Sequence, residues 1–165
     1  MLRKFTKILA INPGTRYIGI AIFEGLELLD WKVKTIPGRW SGEKLQKIIL
    51  IAHSLIKRHK PDVLAIKNLH PSRSSVNLRL LIARIKQLAK RNGLKLYQYS
   101  INDIENFFSP NKKINKKKLG QIVSFRYPAL FHQFKKECYN KNPYHIRAFE
   151  AVALGAICSD QLDKN

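Results

Sequence analysis

The chain is poor in acid, in sulfur and in long apolar runs, and each shortage removes a class of protein. Its two cysteines, Cys138 and Cys158, stand apart with no Cys-x-x-Cys spacing. That excludes a disulfide framework and a zinc ribbon and makes both reduced, structural residues. His132, Cys138 and His145 match no usual zinc spacing, so no metal ligand set is read from them. No uninterrupted apolar stretch spans a bilayer, and the opening Met1 to Phe5 lacks the apolar core of a signal peptide, so a cytoplasmic protein with no membrane partner is expected. Acidic residues number 11 against 31 Lys plus Arg, a formal net charge of +20. The excess runs from Arg3 to Lys164 rather than forming a tail. Such a surface attracts a polyanion, because each phosphate neutralised releases condensed counterions. With the membrane set aside, nucleic acid is the expected partner.

What is present suffices for one core. The 165 residues are 45% hydrophobic, too few for two ordinary enzyme domains, so one domain over 1–165 is expected. Residues 7–12 and 17–23 are apolar runs parted by the turn Pro13-Gly14-Thr15-Arg16, and 26–36 supply a third strand after Glu24-Gly25. Ser41 opens a helix to His59 with Leu45, Ile48, Ile49, Ala52, Leu55 and Ile56 on one face. Lys60-Pro61-Asp62 stops it, and 63–66 form a short buried strand. A helix over about 75–91 follows, capped by Asn92-Gly93, then a fifth strand at 94–99. Beyond lie a short helix at 101–107, a Lys-rich loop at 111–118, a helix at about 119–127, an irregular stretch at 128–145, and a last helix from 146 to about 162. Three antiparallel strands followed by two strands reached through helices predict an α/β fold, a five-stranded mixed sheet flanked by helices in the ribonuclease H-like arrangement.

Four segments, in order, resemble the RuvC-type Holliday junction resolvases: "ILAINPGTRYIGIAIF" at 8–23, "KPDVLAIKNL" at 60–69, "LGQIV" at 119–123 and "IRAFEAVALGAIC" at 146–158. The resemblance covers nearly the whole chain. Members of that family cut DNA with four acidic residues that hold two divalent metals, at the ends of the first and fourth strands and one turn apart on the last helix. Paired cations of this kind activate water and stabilise the leaving oxygen. Carried over residue by residue, those positions are Asn12, Lys67, Arg147 and Glu150, and Glu150 alone keeps a carboxylate. Magnesium prefers charged oxygen ligands, and two permanent cations beside it are strongly unfavourable. The resemblance therefore implies a degenerate metal site with no cofactor, in which Arg147 and Glu150 pair across one helical turn and Lys67 approaches from the sheet. Asp62, Asp103, Glu105 and Glu24 are the acids elsewhere that a shifted register would have to recruit.

Candidate nucleic-acid contacts are Arg16 in the first turn, Lys67, Arg73 and Ser74 in the loop after the fourth strand, and Lys112, Lys113, Lys116, Lys117 and Lys118. Arg79, Arg84, Lys86, Lys90 and Arg91 spread round the exposed arc of their helix, and a solvated face and a binding face are equally compatible with that spread. Phe107, Phe108, Phe125, Tyr127, Phe131 and Phe134 read as core at helical spacing rather than as stacking platforms. Three functions are compatible with these residues. The first is a RuvC-like binder of branched or structured DNA that does not cut. The second is an active resolvase, using Mg or Mn at an atypical site. The third is a scaffold that binds RNA or a protein. Phosphates alone do not separate DNA from RNA. Resolvases of this family are two-fold dimers, so a homodimer is compatible with the resemblance, and the sequence does not fix the oligomer.

Overall fold

The structure, a computed structural model, describes residues 6–132, 134–135 and 146–164. Cys138, Asn140, Asn142, Pro143 and His145 lie outside the described residues. The strands are β1 (Lys7–Asn12), β2 (Tyr17–Glu24), β3 (Glu27–Thr35), β4 (Val63–Lys67) and β5 (Lys95–Tyr99). They form one five-stranded sheet in the order β3-β2-β1-β4-β5. Pairing is antiparallel for β1 with β2 and for β2 with β3, and parallel for β4 with β1 and with β5. This is the mixed sheet that the strand and helix order predicts.

The helices are α1 (Gly42–His59), α2 (Val76–Arg91), α3 (Ile101–Phe108), α4 (Lys116–Arg126) and α5 (Ile146–Lys164). Because side chains alternate along a strand, the sheet buries two separate cores. Leu9, Ile11, Ile20, Leu64 and Ile66 pack on α1 and α2. Ile8, Ala10, Ala21, Phe23, Val63 and Ala65 pack on α3, α4 and α5. Local signals fix the helix ends: the Ser41 side chain accepts from Lys44 N, and Lys60 closes α1 in the left-handed conformation just before Pro61.

Helix α5 is buried nearly all round, from Ala148 to Ser159. Its alanines and Gly155 let it lie close to β2, and a Cβ at Gly155 would strike the Phe23 ring. Ser159 Oγ donates to Gly25 O at 2.7 Å and ties the helix to the β2–β3 turn.

Three expectations are corrected. Lys116, Lys117 and Lys118 are the first turn of α4 rather than the end of a loop, because Asn115 Oδ1 accepts from Lys118 N at 2.8 Å and supplies the cap. The stretch after Tyr127 is not wholly irregular: 128–130 form a 3-10 turn, and 131–132 and 134–135 are helical. Phe125 and Phe131, expected in the core, are 70% and 42% exposed, whereas Phe108, Tyr127 and Phe134 pack on it. The cations Arg79, Arg84, Lys90 and Arg91 of α2 are exposed.

Candidate functional site

Asn12 and Lys67 are the last residues of two adjacent parallel strands. Strand alternation sends both to the same face, since Ile8 and Ala10 precede one and Val63 and Ala65 the other in the core beneath α5. Glu150, one turn into α5, comes down on them from above. The three meet at one carboxylate oxygen: Glu150 Oε2 accepts from Asn12 Nδ2 at 2.8 Å and from Lys67 Nζ at 2.8 Å. All are buried, at 0%, 8% and 2% exposure for Asn12, Lys67 and Glu150.

Glycine brings the helix this close. A Cβ at Gly19, which pairs with Asn12 across the hairpin, would collide with the backbone carbonyl of Arg147. A Cβ at Gly14 would meet the Arg147 guanidinium at 3.1 Å. The start of α5 therefore rests directly on the β1–β2 hairpin. Asn12 Nδ2 also reaches Arg147 O at 3.4 Å.

This seat corrects the expected Arg147–Glu150 pairing. The Arg147 guanidinium turns to the hairpin and donates to Pro13 O at 3.3 Å, so it acts on Glu150 only at longer range. The second cation at the carboxylate is Lys116, whose Nζ lies 3.7 Å from Glu150 Oε1 while its side chain stays 65% exposed. Sequence spacing contains no signal for that contact, which joins two helices. Burial alone would raise the Glu150 carboxyl. The Lys67 ammonium, then Lys116 and Arg147, outweigh it and hold the group below the usual carboxylate range.

The cluster carries two further buried atoms, Asn12 Oδ1 and Glu150 Oε1, that accept no hydrogen bond. Among the described residues no three His, Cys, Asp or Glu side chains are grouped to hold a metal ion. Two of the other acids, Asp62 and Asp103, are engaged with backbone amides. Asp62 Oδ2 accepts from Lys7 N at 2.9 Å, and Asp103 forms the capping box of α3 with Ser100.

The remaining candidate contacts lie outward. Arg16, Arg73, Lys112, Lys113, Lys117 and Lys118 are exposed, whereas Lys67 points inward to Glu150. Ser74 is half-buried, and its hydroxyl donates to Pro71 O at 3.4 Å. Cys158 is a buried free thiol that burial pushes up to about 11, far from a reactive thiolate. No helix among the described residues is long and apolar enough to cross a membrane. Sequence reasoning missed Lys44, a buried lysine on α1 that donates to Gly38 O at 2.7 Å.

No family model matches the chain. A curated relative, the crossover junction endodeoxyribonuclease RuvC of Prochlorococcus marinus subsp. pastoris, is 25% identical over 126 residues, 72% of this chain and 80% of its own length. Thermus thermophilus RuvC, solved in complex with Holliday junction substrate, superposes with a TM-score of 0.75 at 14% identity, covering 97% of this chain and 96% of that one. The yeast mitochondrial Holliday junction resolvase Ydc2 superposes with a TM-score of 0.61 at 13% identity, covering 96% and 78%. The fold is that of RuvC, and the chain is similar in sequence to a RuvC endodeoxyribonuclease.

Proposed function

We propose that this relative of the RuvC-type Holliday junction resolvases binds branched DNA through its phosphates and does not cut it by two-metal chemistry. The observation that carries the reading is the Lys67 ammonium, 2.8 Å from the sole carboxylate at the four family positions. A divalent ion at that oxygen would have to displace a charge carried by a central strand, and the open acceptors beside it among the described residues are the uncharged Asn12 Oδ1 and Glu150 Oε1, the latter 3.7 Å from the Lys116 ammonium. The residues present do not fit a pair of divalent ions.

The same arrangement suits an anion. Lys67 and Lys116 place two positive charges against one negative charge, and Arg147 adds a third at the same helix start. The surplus is positive and faces outward through Lys116. Phosphate oxygens would meet Lys116 and Arg147 directly and feel Lys67 from beneath, while Arg16, Arg73, Lys112, Lys113, Lys117 and Lys118 extend the basic surface. A two-fold homodimer would match the symmetry of a four-way junction.

The active-resolvase reading is favoured by one fact, that the sequence relative is an endodeoxyribonuclease. Incubating the protein with a four-way junction and with linear duplex, in Mg²⁺ or Mn²⁺, separates the two. The expected result is a retarded junction with intact strands. Strands nicked at the crossover would make the protein an enzyme, and no retardation at moderate salt would remove both readings.

A further inference from the structure

We infer that the cleft between the β1–β2 turn and the start of α1 receives an unpaired nucleotide of the bound DNA, its base against Trp40 and Tyr17 and its phosphate at Arg16 and Lys44. The inference rests on the DNA binding proposed above and adds what that binding recognises.

The cleft measures about 460 Å³ and is lined by Thr15, Arg16, Tyr17, Thr35, Trp40 and Lys44 among others, a size within the range of ligand sites. Its walls carry two aromatic rings and two cations. The Arg16 guanidinium lies over the Tyr17 ring, 5.5 Å from its centroid, and presents its own flat, charged face to the cleft. Bases stack on such surfaces whatever their identity, because every base has a π-face.

Lys44 is the second, independent observation. It is 7% exposed, and among the described residues its ammonium donates to one backbone carbonyl, Gly38 O, at 2.7 Å. Lysine is almost never fully buried without partners, and an ammonium carries three donors. One carbonyl is a thin set of partners for a buried charge that lines a cleft. A phosphate or a base carbonyl supplies the acceptors it lacks.

Position favours a nucleotide within DNA over a free one. The turn that forms this wall, Thr15 and Arg16, continues from Pro13 and Gly14, which touch Arg147. The Glu150 cluster and the cleft thus flank a single turn, and a backbone held at the first presents its next residue to the second. A paired base has both faces stacked and does not fit, so the cleft selects nucleotides freed at a branch or gap.

The test compares four-way junctions that are fully paired or carry one unpaired 2-aminopurine deoxynucleotide at the crossover, reading affinity and 2-aminopurine fluorescence with the full chain. Wild type should quench the fluorophore and favour the unpaired substrate. Trp40→Leu should lose that preference, about tenfold in affinity, and the quench, while Trp40→Phe retains most of both. Because Trp40 also packs on the core, Arg16→Ala at an exposed position provides a second variant and should weaken the quench without disturbing the fold, checked by circular dichroism. Quench and preference surviving both Trp40→Leu and Arg16→Ala would overturn the inference and leave DNA binding standing. Deoxyadenosine monophosphate that occupies the cleft while the unpaired DNA nucleotide does not would overturn the assignment to DNA. If wild type binds neither junction, the proposed function falls and this inference with it.

Discussion

Lys67 and Lys117 carry the same charge under opposite physical conditions. Lys67 is 8% exposed, at the end of a strand held on both sides, and bonded to a carboxylate that is itself 2% exposed. Lys117 stands in solvent on the first turn of α4. The buried charge is expensive to place and tolerates no loss of its partner. The exposed one costs little, is screened by salt, and acts only when an anion arrives. Lys116 joins the two regimes, with an exposed stem and its ammonium 3.7 Å from Glu150. A buried ion pair adds little net stability over a packed apolar pair, so the cluster is better understood as a fixed local charge than as a brace.

The largest effect should come from breaking the buried half. Glu150→Gln keeps the size of the side chain but leaves the Lys67 ammonium with no counter-charge, and it should cost about 3–5 kcal/mol in urea unfolding. Adding Lys67→Met should recover most of that loss, and a double variant no better than the single would mean that the two residues are not energetically coupled. The same group sets an acid limb. Since the folded-state carboxyl lies below its ordinary 4.5, its stabilising contribution is complete above that value and disappears as pH falls through the lower folded-state value. Glu150→Gln should lack this limb.

Gly19→Ala should rank next. Its Cβ would collide with the Arg147 carbonyl, and overpacking of this kind costs about 1–3 kcal/mol. A thermal melt unchanged from wild type would show that α5 can lift from the hairpin without penalty. The smallest effect on stability belongs to the exposed half: Lys117 and Lys118 changed together to Ala should leave the melt unaltered. They should still lower the slope of log affinity against log salt by about one for each phosphate contact removed. An unaltered slope would reduce both to a solvated surface.

Much of this was legible in the sequence because it is local or periodic. Apolar runs parted by Pro13-Gly14 and Glu24-Gly25 mark β1 to β3, and Ser41, Lys60-Pro61 and Asn92-Gly93 mark helix ends. Alternation along two strands then brings Asn12 and Lys67 to one face. What was not legible depends on neighbours distant in sequence or on competing local signals. The run of lysines at 116–118 is a poor start for a helix on charge grounds, and it hides the cap that Asn115 provides. Helical spacing places Phe125 with the core residues but cannot say which face meets another element. Arg147 stands one turn from Glu150, yet the glycines of the hairpin draw its guanidinium elsewhere, and Lys116 from a different helix takes the place. Lys44 looks like any surface lysine until the turn at Gly38, in the left-handed region at φ 96°, folds a carbonyl over it.

The bond between Lys67 and Glu150 has a consequence for how the protein responds to its surroundings. A metal ion that neutralises a carboxylate is a separate species with a dissociation constant, so its occupancy follows supply, chelation and dilution. A lysine on the central sheet is part of the chain and has no such constant. The charge at this point is fixed when the polypeptide is made, and neither metal starvation nor chelator should alter it.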